Sequence, residues 1–369
     1  MPIQIRPYTE QDIPAVREFN RRLAAGGTAP EFHFPESHIP HWLPPKDSRR
    51  IFQDYYVALD EGIVRGAFIL KYQEFILGGT TRTLAYYHLP VSEGIVNRKF
   101  ASIGAHMLRA AMRMEPAVYA LGMGGFDHPL PTMLKAMRWQ MAAVPFFFKV
   151  IHPRRFLRQV APLRTSFLRR AASQTAAVTG TGWLAVKSMQ WMRSQRIARS
   201  SGEVVDRFDS WSEELWQKCS RVYWMIGSRD STTLNLLYPA SKNFLCLRIT
   251  GLDGTIGWAV LLDTQMNNNK YFGDLRIGSI VDCLAAPEDA AGVIAVATRF
   301  LGNRGVDLVI SNHSHEVWRR GFRSAGFFQG PSNFIFAASP ALAEKLAPFE
   351  KYESQVYLNR GDGDGPVNL

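Results

Sequence analysis

The sequence predicts two α/β domains in tandem, each a mixed sheet flanked by helices, joined by a basic segment. Three observations predict it. The chain has 369 residues, more than one ordinary compact domain holds and enough for two. One order of elements is read in residues 1–151 and again after residue 205, and an internal repeat of that length means duplicated domains. Between them, residues 152–204 continue neither pattern. The expected organisation is a first domain over 1–151, a partly helical basic bridge over 152–204, and a second domain over 205–369 with a flexible tail.

In the first half, Ile3 to Tyr8 alternates and reads as an edge strand. Thr9 with Asp12 three residues on can cap a helix, whose apolar stripe is Ile13, Val16, Phe19 and Leu23, and Gly26-Gly27 ends it. Pro30 to Pro45 reads as loop. Asp54–Leu59, Ile63–Tyr72 and roughly Arg82–Val91 read as strands, Ala101–Met114 as a helix and Val118–Met123 as a buried strand. Pro129–Met141 reads as a helix and Pro145–Ile151 as the closing strand. In the second half, Trp211–Met225 reads as a helix and Asn243–Ile249 as a strand. Asp253-Gly254 marks a hairpin, followed by strands Ile256–Leu262 and Arg276–Leu284. Asp289–Leu301 is a helix, Asp307–Ser311 a strand, His315–Ser324 a helix, and Phe334–Ala337 the closing strand.

The net charge of +11 is unevenly placed. From His128 to Gly202 there are thirteen Lys or Arg and no acid, so the rest of the chain is close to neutral. A block of one sign attracts anions. Three cysteines, Cys219, Cys246 and Cys283, form no short pair, which argues against a disulfide framework and a zinc site. The most apolar run, Met141 to Phe148, is too short to span a bilayer. With no leader-like start after Met1, the expectation is a cytoplasmic protein, peripheral at the inner face of a membrane through its basic bridge.

Lys99-Phe100-Ala101-Ser102-Ile103-Gly104-Ala105-His106-Met107-Leu108 leads from a strand into a helix. It resembles the Arg/Gln-x-x-Gly-x-Gly/Ala loop of the acyl-CoA N-acyltransferase (GNAT) superfamily, with serine for the first glycine. There, small residues let backbone N–H groups and the helix dipole hold the CoA pyrophosphate. The stretch from His315 to Phe327, with Gly326-Phe327 at its end, is similar to the family's late helix and turn, and a more degraded copy runs from Asp127 to Trp139. The resemblance covers about 1–151 and 205–340 and implies acetyl-CoA or another acyl-CoA as co-substrate, no metal, and Lys99, Ser102, Ile103, Gly104 and Ala105 as its cradle. The tyrosine that many family members use to protonate the leaving thiolate falls on Leu134 and Phe322, which carry no proton to give. Arg229-Asp230, Leu234-Asn235 and Tyr238 resemble a motif of tandem acyltransferases of bacterial surface-polysaccharide pathways.

Three residues are candidate bases. His88 lies on the strand before the loop, and a neutral imidazole accepts a proton near pH 7. Glu93 lies at that strand's end, and Asp282 on the corresponding strand of the second half, where burial demands a partner (Arg276 or Arg229) or a function. Tyr86, Arg229, Asn235, Tyr238 and Asn312 are the candidate substrate-binding residues. Asn312 or Ser314 can alternatively cap the helix that follows. The function expected is acyl transfer to an amine or hydroxyl acceptor, a sugar or lipid-linked saccharide. Two alternatives stand beside it: a Fem-like aminoacyl transferase using charged tRNA, and a degenerate pair serving as a scaffold. Duplex nucleic acid is not an expected partner, since the bridge interleaves aromatic residues with its arginines.

Overall fold

The computed structural model describes residues 3–46, 50–159, 188, 190 and 200–363. The chain first forms β1 (Gln4–Pro7), α1 (Ile13–Ala25), β2 (Ile51–Asp60), β3 (Ile63–Leu77), β4 (Thr80–Ser92), α2 (Ser102–Met114), β5 (Val118–Gly122), α3 (Pro129–Ala136) and β6 (Gln140–Ala143). Next come β7 (Phe146–Val150), α4 (Pro153–Gln159), β8 (Ser201–Val204), α5 (Ser210–Cys219), β9 (Met225–Gly227), α6 (Ser231–Leu237), β10 (Leu245–Gly251), β11 (Gly254–Gln265) and β12 (Arg276–Ala285). The chain ends with α7 (Ala290–Asn303), β13 (Leu308–Asn312), α8 (Glu316–Ser324), β14 (Phe328–Gly330), β15 (Ile335–Ala338), α9 (Pro340–Lys345), α10 (Tyr352–Gln355) and β16 (Val356–Tyr357).

Two compact units result, and they are not contiguous halves. One comprises the chain up to Ala143 together with Asn333–Lys351; the other comprises Val144–Ser332 and the chain from Tyr352 on. In the first unit the strand order is β1-β2-β3-β4-β5-β15-β6, antiparallel except for β4 beside β5. In the second it is β14-β7-β13-β12-β11-β10-β8, antiparallel except for β12 beside β13. So β7, read as the closing strand of the first domain, pairs with β13 in the second unit's sheet. Conversely, β15 pairs with β5 and β6 in the first unit's sheet. Duplicated halves offer equivalent sheet edges, and a closing strand completes its ladder on either one, as in domain swapping.

Local rules hold where the elements were read. Asp12 accepts the Thr9 N–H at 2.9 Å and is held by Arg6, which keeps its carboxyl down at about 2. Val16, Phe19 and Leu23 of α1 are buried against Val57, Ala67 and Ile69 of the sheet. On the other face Ile103, Met107 and Ala111 of α2 pack on Phe68, Leu70, Ala85 and Tyr87. Gly326 has φ +81° at the end of α8, and in the first unit Arg138 takes the same left-handed conformation, φ +63°, at the end of α3. That turn stops α3 at Ala136, five residues short of the expected end, and releases Gln140–Ala143 to pair as β6. Elements β9 and α6 had not been expected, and the tail expected to be flexible carries α9, α10 and β16. Of the bridge, Arg154, Arg155 and Arg158 lie exposed on α4, whereas Phe167, Arg169, Arg170, Trp183 and Trp191 fall outside the described residues.

Candidate functional site

In the first unit β4 and β5 are neighbours only at Ala85–Val118 and Tyr86–Tyr119. Beyond that point β4 stays with β3, pairing His88 with Ile69 and Val91 with Ala67, while β5 stays with β15. The register slips between Ala67 and Ile69, and Leu89 takes φ +43°, so a bulge turns β4 where the strands part. His88, Leu89 and Pro90 are half-buried at this parting. The Tyr86 hydroxyl donates to the Leu121 carbonyl of β5 at 3.0 Å, and its ring stacks on Tyr119 at 5.3 Å and lies 5.4 Å from His88. Tyr86 is thus a buried brace across the gap, rather than the ligand-facing hydroxyl expected from the sequence.

The segment leading into α2 is built tightly. Ser92 Oγ accepts from the Gly94 N–H and Asn97 Oδ1 from the Lys99 N–H, fixing two short turns. A Cβ on Gly94 would meet the Phe100 carbonyl oxygen at 2.7 Å, so only glycine lets these turns stack. Glu93 is buried and bound by Arg22 at 3.0 Å and by Arg65 at 2.8 Å. Arg65 in turn lies 4.0 Å over the Phe100 ring. The expectation that Glu93 acts as a base gives way here: two guanidiniums occupy its oxygens and make it a strut under the loop.

Ser102 opens α2 with no side-chain cap before it and no acid in its first turn. Arg98, Lys99 and Ser102 are exposed, and Gly104 and Ala105 are half-buried. The Ile103 side chain is buried in the core, so this residue offers a ligand only its backbone N–H. A Cβ on Gly104 would find its nearest neighbour, Met133 Sδ, at 3.5 Å, so the fold itself leaves room there. First-turn amides without a side-chain cap, two flanking cations and small residues form a donor set that fits a pyrophosphate.

Sequence reasoning missed Lys71 and Trp42. Lys71 lies on β3 opposite Tyr86 and is fully buried, its Nζ 5.1 Å from the Trp42 ring and 5.5 Å from the Tyr86 ring. The signal was present: Lys71 sits two residues from Ile69 in an apolar strand, hence on the same inward face.

The second unit repeats the parting of strands. There β12 and β13 are in register over Ile277–Ser279 and Leu308–Ile310, and β12 then runs on to Ala285. This parting is filled by the chain itself. Ser314 N donates to the Leu358 carbonyl at 2.9 Å, and His313 forms a bridge with Asn359. On the other side the Tyr357 hydroxyl donates to the Cys283 carbonyl, and Asn359 Nδ2 donates to Asp282 Oδ1 at 2.6 Å. A Cβ on Gly361 would lie 2.2 Å from the Tyr238 hydroxyl and 3.0 Å from Asp282 Oδ2.

Asp282 therefore has four donors: Arg229 Nε at 2.8 Å, the Tyr238 hydroxyl at 2.7 Å, Asn359, and the Cys283 N–H at 2.9 Å. Arg229 Nη2 also donates to Asp362 at 2.7 Å, and the side chains of Arg229, Asp282 and Asp362 are wholly buried. Burial pushes the Asp282 carboxyl up, Arg229 pulls it back, and Asp362 adds to the upward push. Arg229 is the partner, and Arg276 instead binds Asp263 at 2.7 Å. The motif expected to bind substrate is structural at each position. Arg229 and Tyr238 surround Asp282, and Asp230 caps α6 by accepting from Thr233 N at 3.0 Å. Asn235 clamps both backbone groups of Phe208, at 3.0 and 2.8 Å. Asn312 is buried beside the Val144 and Pro145 carbonyls.

The cap of α8 is His315, whose Nδ1 accepts from Val317 N at 3.3 Å, rather than Asn312 or Ser314. Its Nε2 lies 3.2 Å from the Ser354 carbonyl. Burial pushes His315 down to about 4 and His313 well below its ordinary range. Below about pH 6.5 both stay neutral in the fold while the unfolded chain takes up their protons. The stability that this contributes is whole above about pH 6.5 and is lost as pH falls toward about 4. For His315 the loss amounts to about 3 kcal/mol. Melting temperatures measured down this window should fall, and His315→Asn, which keeps a capping side chain, should flatten the slope. A slope unchanged in that variant would refute the assignment.

No protein-family model and no curated protein matches the sequence. Solved structures match the fold. A probable N-acyltransferase from Enterococcus faecalis aligns over 94% of this chain and 74% of its own, at 10% identity and a TM-score of 0.52. Saccharomyces cerevisiae N-myristoyltransferase, solved with bound myristoyl-CoA and inhibitors, aligns over 92% and 80%, at 9% identity and 0.53. A GCN5-related N-acetyltransferase from Anabaena variabilis aligns over 91% and 72%, at 9% identity and 0.52. At such identities the likeness is one of fold, and it gives this chain the GNAT acyltransferase fold, with two mixed sheets in tandem.

Proposed function

We propose that the protein is an acyl-CoA-dependent acyltransferase whose donor site lies in the first unit. The observation that carries this reading is the parting of β4 from β5 beyond Tyr86, beside the uncapped start of α2. The pantetheine arm would enter between the strands where β4 and β5 part. The pyrophosphate would rest on the amides of Ser102–Ala105 with Arg98 and Lys99 beside it. His88, at the bulge, takes the proton of the attacking amine or hydroxyl. Nitrogen or oxygen then bonds to the thioester carbonyl, and the C–S bond breaks as CoA thiolate leaves. The acceptor in this reading is a sugar or lipid-linked saccharide, as the resemblance to surface-polysaccharide enzymes implies, at the cytoplasmic face of a membrane. The likeness to N-myristoyltransferase supports testing long acyl chains as well as acetyl-CoA.

The second unit's parting is filled by its own residues 357–361, so titration should find one acyl-CoA per chain. Acetyl-CoA should raise the melting temperature by mass action. Ser102→Glu should abolish that shift, because it sets charge and bulk against the phosphates at an exposed position. A shift of unchanged size in this variant removes the donor site from α2.

A further inference from the structure

A second surface feature of the first unit is a groove beside α2. The outer side of α2 and strand β1 enclose a groove of about 430 Å³, lined by Ile3, Ile5, His106, Arg109, Ala110, Arg113 and Met114. The helix residues share one stripe, since positions three and four apart stack along a helix. Arg109 and Arg113 are exposed, and among the described residues neither is paired with a carboxylate. His106 has its Nδ1 committed to the Ser102 carbonyl at 2.9 Å, which orients the ring. Among the described residues no carboxylate lines the groove; Gly94 to Met114 holds four Lys or Arg and no acid, and Glu115, just after it, accepts from the Ala117 N–H at 3.0 Å. Glu93, just before it, is neutralised by Arg22 and Arg65.

We propose that this groove docks the headgroup of an anionic phospholipid. The charge requirement selects an anion, and two arginines at one helical spacing suit a phosphate. The remaining lining selects the rest of the ligand. Ile3, Ile5, Ala110 and Met114 offer apolar surface, and Met114 is 40% exposed. A sugar phosphate would need carboxylates or side-chain amides for its hydroxyls. The groove has neither, whereas the glycerol and first methylenes of a lipid need only apolar contact.

The test uses the full chain and vesicles of phosphatidylcholine with and without phosphatidylglycerol, at low salt, where surface attraction is least screened. The protein should sediment with the anionic vesicles alone. The Arg109→Gln, Arg113→Gln double variant should partition roughly thirty-fold less, about five-fold per arginine. Met114→Glu, which places an acid at an exposed groove position, should weaken binding in the same direction. The exposed positions leave the fold intact, which a melt verifies. Vesicle binding equal to wild type in the double variant overturns the proposal. So does a stabilisation by glycerol 3-phosphate that depends on Arg109 without any vesicle binding, since the groove would then serve a soluble phosphate.

Discussion

His88→Ala is expected to lower turnover by about 10²–10⁴-fold, the usual loss when a positioned base is removed. The side chain sits half-buried on β4, on the face of Tyr86 and one residue before the bulge at Leu89. Of the three candidate bases it is the one that stands at the parting of β4 from β5. Glu93 is bound by two arginines, and Asp282 is held by four donors in a filled parting. The loss should therefore fall on kcat, with the melting temperature nearly unchanged, and should lessen at high pH, where the acceptor amine is already deprotonated. Asp282→Asn should show the opposite pattern, a lower melting temperature and turnover per folded molecule near wild type. Full activity in His88→Ala with a folded but dead Asp282→Asn would move the active centre to the second unit.

Arg229→Ala is expected to cost about 3–5 kcal/mol, because it strands two buried carboxylates without their shared cation. The guanidinium is wholly buried and bonds Asp282 and Asp362 at 2.8 and 2.7 Å. Such a loss should lower the melting temperature by on the order of 10 °C. Adding Asp282→Asn and Asp362→Asn should recover part of it, since the neutral amides no longer need a counter-charge. A single variant within about 1 kcal/mol of wild type in urea unfolding would show that the cluster is not the lock of this unit.

Much of the fold was legible in short-range pattern. The apolar stripe of α1, the turn at Gly326 and the strands from Ile51 to Ser92 follow periodicity and turn chemistry, which act over a few residues. Where the reading failed, a longer-range partner had intervened. Residues 140–143 are strand because β15 runs beside them, not because of their own propensity. The short pieces β9 and α6 gave too few residues for periodicity to register, although Asp230 three residues before Thr233 is a capping spacing.

The candidate site divides in the same way. By itself the sequence determined that a basic residue and small residues open α2 after a strand, and that a histidine lies on that strand, since both are consequences of chain order. Only the tertiary structure decided what each acid does. A carboxylate's role depends on which cation reaches it, and Arg22 is 71 residues from Glu93 while Asp362 is 133 from Arg229. It also decided that one parting of strands is filled by residues 357–361, and that the closing strands β7 and β15 exchange sheets. Hydrogen-bond partners at a sheet edge are chosen by proximity in space, and duplicated halves present nearly equivalent edges to choose between.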